Sequence, residues 1–331
     1  MRGFQMRAYL PVVLLVVFLA SCAPSFHQKN ERYVLVVANM NLPYWQEAEA
    51  GLMDAAHVLG VKAEFTGTPT YDPQAELKSF QSVVATNPTG ILVSPARADV
   101  FRDAIDSARK AGIPVICIDS DAPDSQRILF IGTDNYKAGL TSGETIANVM
   151  QKHGHLAIIT IPGQYNLEER LRGVEDALKK YPYIQVIKVL DDQGSTQMAS
   201  DEVTSLMQSD AKPDAILCLE ASGGPGAASA LLHAELEGKV PVVAMDANAE
   251  TLDWISKGAI AATVAQKPYT MAYYGVKLLD DLHHNIVHEF KDWKTAPTSP
   301  LPSIIDTGTA VVNASNVENY KAELFNPSAK H

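Results

Sequence analysis

The sequence predicts an α/β protein with two doubly wound parallel sheets, each covered by helices on both faces. Short β-branched and apolar runs alternate with amphipathic helical segments along almost the whole chain of 331 residues. The connections between these segments are short, which is typical of parallel strands joined by crossover helices. The βα units are too many for one sheet and lack the eightfold regularity of a closed barrel. We therefore expect two similar Rossmann-like lobes.

The first lobe is predicted from strand and helix patterns that begin near residue 33. Its first helix, at 43–59, opens with Pro43, which is favoured in a first helical turn, and repeats apolar residues at helical spacing. Asp72 and Pro73 mark the start of the next helix. A third helix follows, with its apolar face around 101–108. The strands of this lobe are predicted at 33–38, 61–65, 90–93 and 113–118.

The stretch at 111–139 lies at the centre of this pattern. Its strand ends in three polar residues, Asp119, Ser120 and Asp121. Ligands of open α/β sheets bind at the carboxyl ends of strands, so these side chains are placed where a ligand would lie. A second apolar run at 128–131 follows, and the next polar residues open a new helix. An ordinary loop between two elements is the alternative interpretation.

The second lobe continues the same alternation. Strands are predicted at 156–161, 184–189, 214–219, 240–245 and 260–265. Helices are predicted from 135 to about 150 and at 168–181, 197–209, 225–236 and 248–257. A last long helix from Pro268 to about His288, a linker at 291–302, one strand at 303–312 and a turn at 316–320 complete the chain.

Composition and charge exclude several classes of function. The formal net charge is −11 at pH 7, and no basic stripe occurs, so we expect no nucleic-acid partner. The GxSxG and HExxH motifs of hydrolases are both missing, so we expect no enzyme and no cofactor.

His283, His284 and His288 are spaced to hold zinc, but no further ligand convincingly completes the set. A solvated helix end is therefore favoured, and no metal site is predicted.

The amino terminus has the pattern of an exported lipoprotein. Two arginines precede an apolar run at 8–20, which is too short to span a bilayer as a mature helix. The run ends in Leu-Ala-Ser-Cys, which resembles the lipobox whose cysteine thiol receives a lipid. We expect a signal peptide at 1–21, a lipid anchor on Cys22 that holds the protein at a membrane of the cell envelope, and a polar tether at 22–32. A plain secretory signal is the alternative.

Candidate ligand-binding residues follow the predicted strands. The carboxyl ends of parallel strands meet at one edge of a sheet, so polar groups placed there lie close together. Tyr44 and Trp45 could instead be simple core packing, and the glycine-rich segment after Ser222 lacks a phosphate-binding motif. The candidates from this pattern are Asn39, Asn41, Tyr44, Trp45, Asp119, Glu220, Ser222, Asp246 and Gln266.

Several segments together resemble one family. They span about 32–312 in the family's order, and the resemblance lies in that order more than in any single motif. The segments are VVANMNLPYW, GILVSP, IPVICIDSD, FIGTDNYKAG, ERLRGVEDAL, VVAMDANAE and IAATVAQKP. The family that they resemble comprises the sugar-binding lipoproteins and periplasmic proteins of the ribose-binding type, which are the extracytoplasmic receptors of sugar ABC importers.

The resemblance implies a sugar site in the cleft between the two lobes. Tyr44 and Trp45 would stack on the sugar ring, and Asp119 would accept hydrogen bonds from hydroxyl groups. Arg170 matches the family's arginine three residues before a glycine, which is Gly173 in this chain. Aromatic faces suit the C–H faces of a sugar, while carboxylates and guanidinium groups suit paired hydroxyls. A solvated helix arginine is the alternative for Arg170.

The second lobe and the lobe boundaries are also implied by the resemblance. Asp246 and Gln266 match the family's second-lobe acid and hinge amide. The family fold has three crossovers between lobes, which we expect to form a hinge near 133–135, 266–268 and 298–306. The first lobe would comprise 33–133 plus 267–297, and the second 134–266 plus 298–331.

Departures from the family pattern bear on the ligand and the partner. Ser120 and Leu42 stand where ribose receptors have arginine and asparagine, and Glu220-Ala221-Ser222 replaces their usual Asn-Asp. We therefore expect another aldose, a deoxysugar or a polyol. The Asp119-Ser120-Asp121-Ala122 run also resembles rhamnose and autoinducer-2 receptors. However, Asn39 occupies the place of the lysine that autoinducer-2 receptors use, which weakens the case for a ligand of that kind. The expected partner is an ABC import permease that receives the ligand from a monomeric receptor, and a membrane sensor is the alternative.

Overall fold

The computed structural model describes residues 26–325. The first part of this range contains β1 (Arg32–Val37), α1 (Pro43–Leu59), β2 (Lys62–Gly67), α2 (Pro73–Ala85), β3 (Gly90–Ser94), α3 (Ala98–Lys110), β4 (Val115–Ile118), β5 (Phe130–Gly132) and α4 (Asn135–Val149). The second part contains β6 (Gly154–Thr160), α5 (Tyr165–Leu178), β7 (Ile184–Asp191), α6 (Thr196–Gln208), β8 (Ala215–Cys218), α7 (Gly223–His233), β9 (Val242–Met245), α8 (Ala249–Ser256), β10 (Ala262–Ala265), α9 (Pro268–His283), β11 (Ile304–Asp306), β12 (Ala310–Asn313) and α10 (Val317–Phe325).

Two six-stranded sheets form the centres of the two lobes. The strand orders are β11-β5-β4-β3-β1-β2 and β12-β10-β9-β8-β6-β7. The second order repeats the first when β6 to β10 are placed on β1 to β5, so the lobes share one topology. Strands pair in parallel throughout residues 26–325, except that β10 and β12 are antiparallel. The predicted pair of doubly wound α/β lobes is therefore confirmed.

Apolar faces of the helices cover both sides of each sheet. In the first lobe, α1 and α9 pack together on one side, where Leu35, Leu52 and Met271 are fully buried. On the other side, Phe80 of α2 and Phe101 of α3 meet edge to face, with ring centroids 5.7 Å apart. Burying one such side chain contributes about 1.5–3 kcal/mol, so these contacts fix how the helices sit on the sheet.

Three crossovers join the lobes, at residues 133–134, 266–267 and 307–309. The third differs from the prediction. Residues 303–312 form two strands in two different sheets. The first, β11, pairs in parallel with β5 and ends at Asp306. A turn at Gly308, whose φ is 72°, then leads into β12. The predicted assignment of 298–331 entirely to the second lobe is therefore wrong for β11.

Both ends of the described chain differ from the sequence prediction. The helix predicted to reach His288 ends at His283, because Asn285 takes a left-handed conformation with φ of 56°. The predicted turn at 316–320 is the start of α10, which packs against α8. Residues 26–31 belong to the segment predicted as a polar tether at 22–32, and in the structure His27 contacts Asp280 of α9 while Glu31 contacts His284 directly after it. The predicted signal peptide and Cys22 lie outside the described residues. Within 26–325, no helix combines the length and the apolar character that crossing a bilayer requires.

Candidate ligand-binding cleft

The lobes face each other across a cleft of about 540 Å³. Its walls come from the carboxyl ends of strands in both sheets, where ligands of open α/β folds bind. Eight of the ten predicted ligand-binding residues line it: Asn39, Tyr44, Trp45, Asp119, Arg170, Glu220, Asp246 and Gln266. These eight positions are scattered along most of the chain and are brought together only by the two-lobed fold.

Three of these residues leave their strands with an unusual backbone. Asn39, Asp119 and Asp246 follow β1, β4 and β9, and their φ angles are 58°, 60° and 69°. Few residues other than glycine adopt this left-handed region, although asparagine and aspartate tolerate it best. Such strained positions concentrate at binding sites. The turn at each strand tip directs the side chain into the cleft instead of along the sheet.

The wall of the first lobe combines aromatic rings with a buried carboxylate. Tyr44 donates a 2.7 Å hydrogen bond from its hydroxyl to Asp119 Oδ1, and Ser94 Oγ donates to Asp119 Oδ2 at 3.1 Å. The rings of Tyr44 and Trp45 meet edge to face with centroids 4.9 Å apart. Burial raises the pKa of the Asp119 carboxyl above its ordinary value, while Arg170 and these two hydrogen bonds act in the opposite direction.

The wall of the second lobe is built around Arg170, which is 1% exposed. Its Nε donates to Asn135 Oδ1 at 2.8 Å, and its two terminal nitrogens donate to Leu219 O at 2.7 Å and Gln266 Oε1 at 2.9 Å. Gln266 Nε2 donates in turn to Asp246 Oδ1 at 2.8 Å. Within residues 26–325, three of the five guanidinium N–H groups therefore donate to protein atoms. The alternative interpretation of a solvated helix arginine is wrong.

Burial and the two nearby carboxylates outweigh the single guanidinium group in setting the pKa of Asp246. Burial raises the pKa of Asp246 to about 7, and the carboxylates of Asp119 and Glu220 act in the same direction. The guanidinium of Arg170 and the hydrogen bond from Gln266 oppose the shift without cancelling it. A hydroxyl donor placed at Asp246 would favour the ionised form.

Glu220 is held at the start of α7. Its carboxylate accepts hydrogen bonds from the backbone N–H groups of Ser222, at 2.7 Å, and Gly223. Behind it, Asp192 is fully buried, and burial together with the charge of Glu220 raises the pKa of Asp192 to about 10. Ser222 itself does not line the cleft, because its side chain is buried beneath the helix start. Its predicted place in the site is not supported.

Asn41 is the second candidate that the fold keeps out of the cleft. Its side chain is exposed, and its Nδ2 donates to Pro69 O at 3.2 Å on the outer surface. Asp121, the other acid after β4, is also turned away, because both its oxygens accept hydrogen bonds from Arg127. Asp119 lines the cleft and Asp121, two residues later, does not. Adjacent polar residues at one strand tip therefore do not all face the cleft.

The cleft contains residues that the sequence analysis did not single out. Asn166, buried at the start of α5, donates from Nδ2 to Asp119 Oδ2 at 3.3 Å across the two lobes. Asn39 Nδ2 donates to Gly194 O at 2.8 Å, a second link between the lobes. Ser94, Tyr71 and Gln164 also line the cleft. Ser94 is the last residue of β3, so the same strand-end rule could have found it, whereas Asn166 lies on α5, six residues after the end of β6.

Comparison with known proteins identifies the family. Residues 33–284 match the family described as the periplasmic binding protein domain, and the chain belongs to that family. The chain is 28% identical over 259 residues to the D-allose-binding periplasmic protein of Escherichia coli K12, a match that covers 75% of this chain and 83% of that protein.

Solved structures agree with this assignment. The crystal structure of a sugar ABC transporter sugar-binding protein from Bacillus halodurans is 33% identical, with a TM-score of 0.75, and the match covers 88% of this chain and all of that chain. The XylFII–LytSN complex contains a chain that is 27% identical, with a TM-score of 0.77 and a match covering 87% of this chain and 99% of that one. The predicted resemblance is confirmed.

Proposed function

We propose that this protein is an extracytoplasmic receptor that captures a small neutral polyhydroxylated molecule and delivers it to an ABC import permease. The ligand class is an aldose, a deoxysugar or a polyol. The observation that carries the proposal is a buried cleft in which carboxylates, amides, a guanidinium group and aromatic rings from both lobes converge. Relatives named as D-allose-binding and sugar-binding proteins support the same class of ligand.

The charges of the cleft favour a neutral ligand over an anion. Three acids, Asp119, Glu220 and Asp246, surround the single guanidinium of Arg170 among the described cleft residues. An anion would add like charge to a buried region that already raises the pKa of Asp246. Hydroxyl groups, in contrast, can donate to these carboxylates and accept from Arg170. An aromatic wall of Tyr44 and Trp45 then offers an apolar surface for the C–H face of the ring.

The ligand would be retained by closure of the lobes about the three crossovers. Contacts from both lobes to one ligand favour a closed conformation, because the ligand binds that form better than the open one. The hydrogen bonds from Asn39 and Asn166 across the cleft would add to this closed form. We expect small-angle scattering to show compaction at saturating ligand, and an unchanged radius of gyration would contradict closure.

The proposal is tested by a ligand panel in a thermal-shift assay. The panel contains D-allose, D-xylose, L-arabinose, D-ribose, a deoxysugar and a polyol, with the corresponding sugar acids as anionic controls. A specific ligand at about 100 times its Kd stabilises the folded protein by about 2.7 kcal/mol. We expect a rise in Tm with at least one neutral compound, accompanied by a change in tryptophan fluorescence from Trp45. Stabilisation by the sugar acids alone would overturn the ligand class.

Export and anchoring are a separate part of the proposal. The apolar run and the Leu-Ala-Ser-Cys sequence support a lipid anchor on Cys22 of a monomeric receptor. We expect mass spectrometry of the mature protein to find an acylated Cys22 as its first residue, and Cys22→Ala to prevent this processing. A mature amino terminus at another residue would contradict the anchor and leave the ligand assignment untouched.

A receptor for a membrane sensor is the second candidate function. The structural neighbour in the XylFII–LytSN complex favours it, since that neighbour is a chain of the same fold bound to another protein. Deletion of the gene separates the two functions. Loss of uptake of the radiolabelled ligand indicates delivery to a permease, whereas normal uptake with loss of the transcriptional response to the ligand indicates sensing.

A further inference from the structure

A cluster of histidines and buried carboxylates lies far from the cleft, where the amino-terminal segment meets the end of α9. His27 Nε2 is 3.0 Å from Asp280 Oδ2, and His284 Nε2 is 3.6 Å from Asp280 Oδ1. His284 Nε2 is also 3.2 Å from Glu31 Oε2. His27 and Asp280 are 253 residues apart in the chain, so folding alone brings these groups together.

The two carboxylates of this cluster are buried with excess negative charge. The side chains of Glu31 and Asp280 are 4% and 3% exposed. Among residues 26–325, the ion-pair partners of both are histidines, and neither pairs with a lysine or an arginine. Burying carboxylates without a positive partner is costly. Imidazole nitrogens are the commonest protein ligands of metal ions, so the same side chains can hold a cation between these carboxylates.

The surroundings of the cluster add to the negative potential. Asp281 directly follows Asp280 and adds one more acidic residue at the end of α9. The carboxyl end of α9 carries the partial negative charge of the helix dipole at the same place. The single Nε2 of His284 lies near two carboxylates, yet one N–H can make one good hydrogen bond. A cation would satisfy both.

We propose that His27, Asp280 and His284 bind a divalent transition-metal ion, with Zn²⁺ as the best match. Imidazole and carboxylate ligands suit Zn²⁺ better than Mg²⁺ or Ca²⁺, which prefer oxygen ligands alone. The donor atoms of these three residues all lie within 4.8 Å of one another. Two ligands about 2.0–2.1 Å from a tetrahedral zinc are about 3.3 Å apart, close to the 3.0 and 3.6 Å separations in this cluster.

Neighbouring groups support and orient these ligands. Tyr33 donates from its hydroxyl to Asp280 Oδ1 at 3.0 Å, which fixes that carboxylate as an outer hydrogen bond commonly does in metal sites. Phe26 stacks on the His284 ring with centroids 4.2 Å apart and covers it from solvent. Glu31 Oε2 lies 3.2 Å from His284 Nε2, on the edge of the same cluster. The bound ion would tie the segment that follows Cys22 to α9 and so fix the amino-terminal segment on the receptor body.

The cluster also revises the interpretation of the histidines at the end of α9. His284 is 12% exposed, so it is no solvated helix end, and Asp280 and Glu31 supply the carboxylates that the local sequence did not reveal. A second triad of Glu31, His283 and His284 shares one ligand with the first. It is the weaker arrangement, since His283 is 43% exposed and its Nε2 lies 3.9 Å from Glu31.

The test uses the detergent-purified mature protein, stripped with a chelator and titrated calorimetrically with ZnCl₂ alone. We expect one Zn²⁺ per chain, and about a tenfold or greater loss of affinity in His27→Gln and in His284→Gln. His57→Gln is the matched control, because His57 is an exposed histidine in the last turn of α1. Substitution with Co²⁺ should give visible absorption bands of a tetrahedral site with nitrogen and oxygen ligands.

Several outcomes would overturn the site. One is that the wild type binds zinc no more tightly than His27→Gln does. Another is that His284→Gln binds zinc as tightly as the wild type. Loss of binding in His283→Gln with no effect of His27→Gln would assign the ion to the other triad and reject the proposed ligands. Circular dichroism of each variant establishes that it is folded. Sugar-induced thermal shifts should be unchanged in His27→Gln, since the cluster lies outside the cleft.

Discussion

The two lobes have the same topology but contribute different chemistry to equivalent positions. At the start of the helix that follows the first strand of each lobe, Tyr44 and Trp45 on α1 correspond to Asn166 and its neighbours on α5. After the fourth strand, both lobes have an aspartate in a left-handed conformation, Asp119 in one and Asp246 in the other. Asp119 accepts hydrogen bonds from neutral donors, whereas Asp246 is linked through Gln266 to a buried guanidinium.

This difference indicates that the two lobes contribute different kinds of contact to ligand binding. The first lobe offers aromatic rings and one carboxylate, Asp119, whose hydrogen-bond donors within residues 26–325 are all neutral. The second lobe holds a buried network in which Arg170, Gln266 and Asp246 depend on one another for charge and hydrogen bonding. Networks of this kind lose more than one contact when a member is removed, because the remaining groups are left buried without a partner.

Replacement of Arg170 should have the largest effect and tests whether the second lobe dominates binding. Arg170→Ala removes the charge that opposes the raised pKa values of Asp119 and Asp246. Losing one partner of a buried charged network typically costs about 2–5 kcal/mol. We therefore expect affinity for the best panel sugar to fall about thirtyfold or more, as measured by isothermal titration.

Arg172→Ala is the matched control for this substitution. Arg172 lies two residues further along α5, with its side chain 56% exposed and paired with Glu169 on the helix surface. Exposed pairs of this kind contribute about 0–1 kcal/mol. The affinity of Arg172→Ala for the same sugar should stay within about threefold of the wild-type affinity. Equal losses in the two variants would mean that helix stability, and not the cleft, explains the first result.

A comparison of Asp246→Ala with Asp119→Ala sharpens the contrast between the lobes. Asp246→Ala leaves Gln266 Nε2 without its acceptor and removes a carboxylate whose charge interacts with the buried Arg170, so we expect about a thirtyfold loss of affinity. Asp119→Ala leaves the neutral donors of Tyr44, Ser94 and Asn166, which a water molecule can satisfy, so we expect about tenfold. Titrations of both variants with the same sugar give the ranking. The reverse order would place the dominant wall in the first lobe.

Much of the fold could be predicted from local pattern because each element is locally consistent. Apolar strands with short connections identified both sheets, and the rule that ligands bind at strand ends found Asp119 and Asp246. The rule could not exclude Asn41 and Ser222, because it places residues at the correct edge without fixing the direction of each side chain. Only the backbone turns at individual strand tips decide that direction.

Contacts between distant segments could not be predicted from the sequence. The strand β11 belongs to the first sheet although it precedes β12 of the second by only three residues. The carboxylates near His284 come from one helical turn earlier and from the amino-terminal segment, where no local pattern indicates a shared site. Asn166 contributes across the cleft through the approach of two lobes, which a single βα unit does not reveal.

A change of pH should alter sugar affinity less than these substitutions do, and it tests the role of Asp246 separately from that of Asp119. Burial raises the pKa of Asp246 to about 7, and hydroxyl donors of a sugar would favour its ionised form. The pKa of Asp246 should therefore fall on binding, so affinity should rise with pH through about 7. One unit of pKa change corresponds to about tenfold in affinity, which we expect between pH 5.5 and 7.5.

Asp246→Asn tests the origin of this pH dependence. The amide cannot titrate, so affinity in this variant should be lower but nearly independent of pH over the same range. Isothermal titration at four pH values gives both curves. A wild-type curve that falls with rising pH, or a variant that keeps the full slope, would contradict titration of Asp246 as the cause.

The smallest effect on binding is expected at Asp192, behind the second-lobe wall. Burial and the charge of Glu220 raise the pKa of Asp192 to about 10, so this carboxyl group is protonated at neutral pH. Its Oδ1 accepts from the Gly194 N–H at 3.1 Å, and the carbonyl of Gly194 accepts from Asn39 of the other lobe. Asparagine has nearly the same shape, so Asp192→Asn should keep sugar affinity within about threefold.

The stability of the same variant should change with pH in a defined direction. A carboxyl group whose pKa is raised from 3.8 to about 10 stabilises the fold fully below the lower value and loses this contribution as pH rises toward the higher one. Between pH 5 and 9, this group alone lowers the free energy of unfolding by up to about 1.4 kcal/mol per pH unit. Asp192→Asn lacks the titration, so its Tm should fall less steeply over that range than the Tm of the wild type. Identical slopes would mean that Asp192 is ionised in the folded protein, and the second lobe would then hold one more buried negative charge than the first.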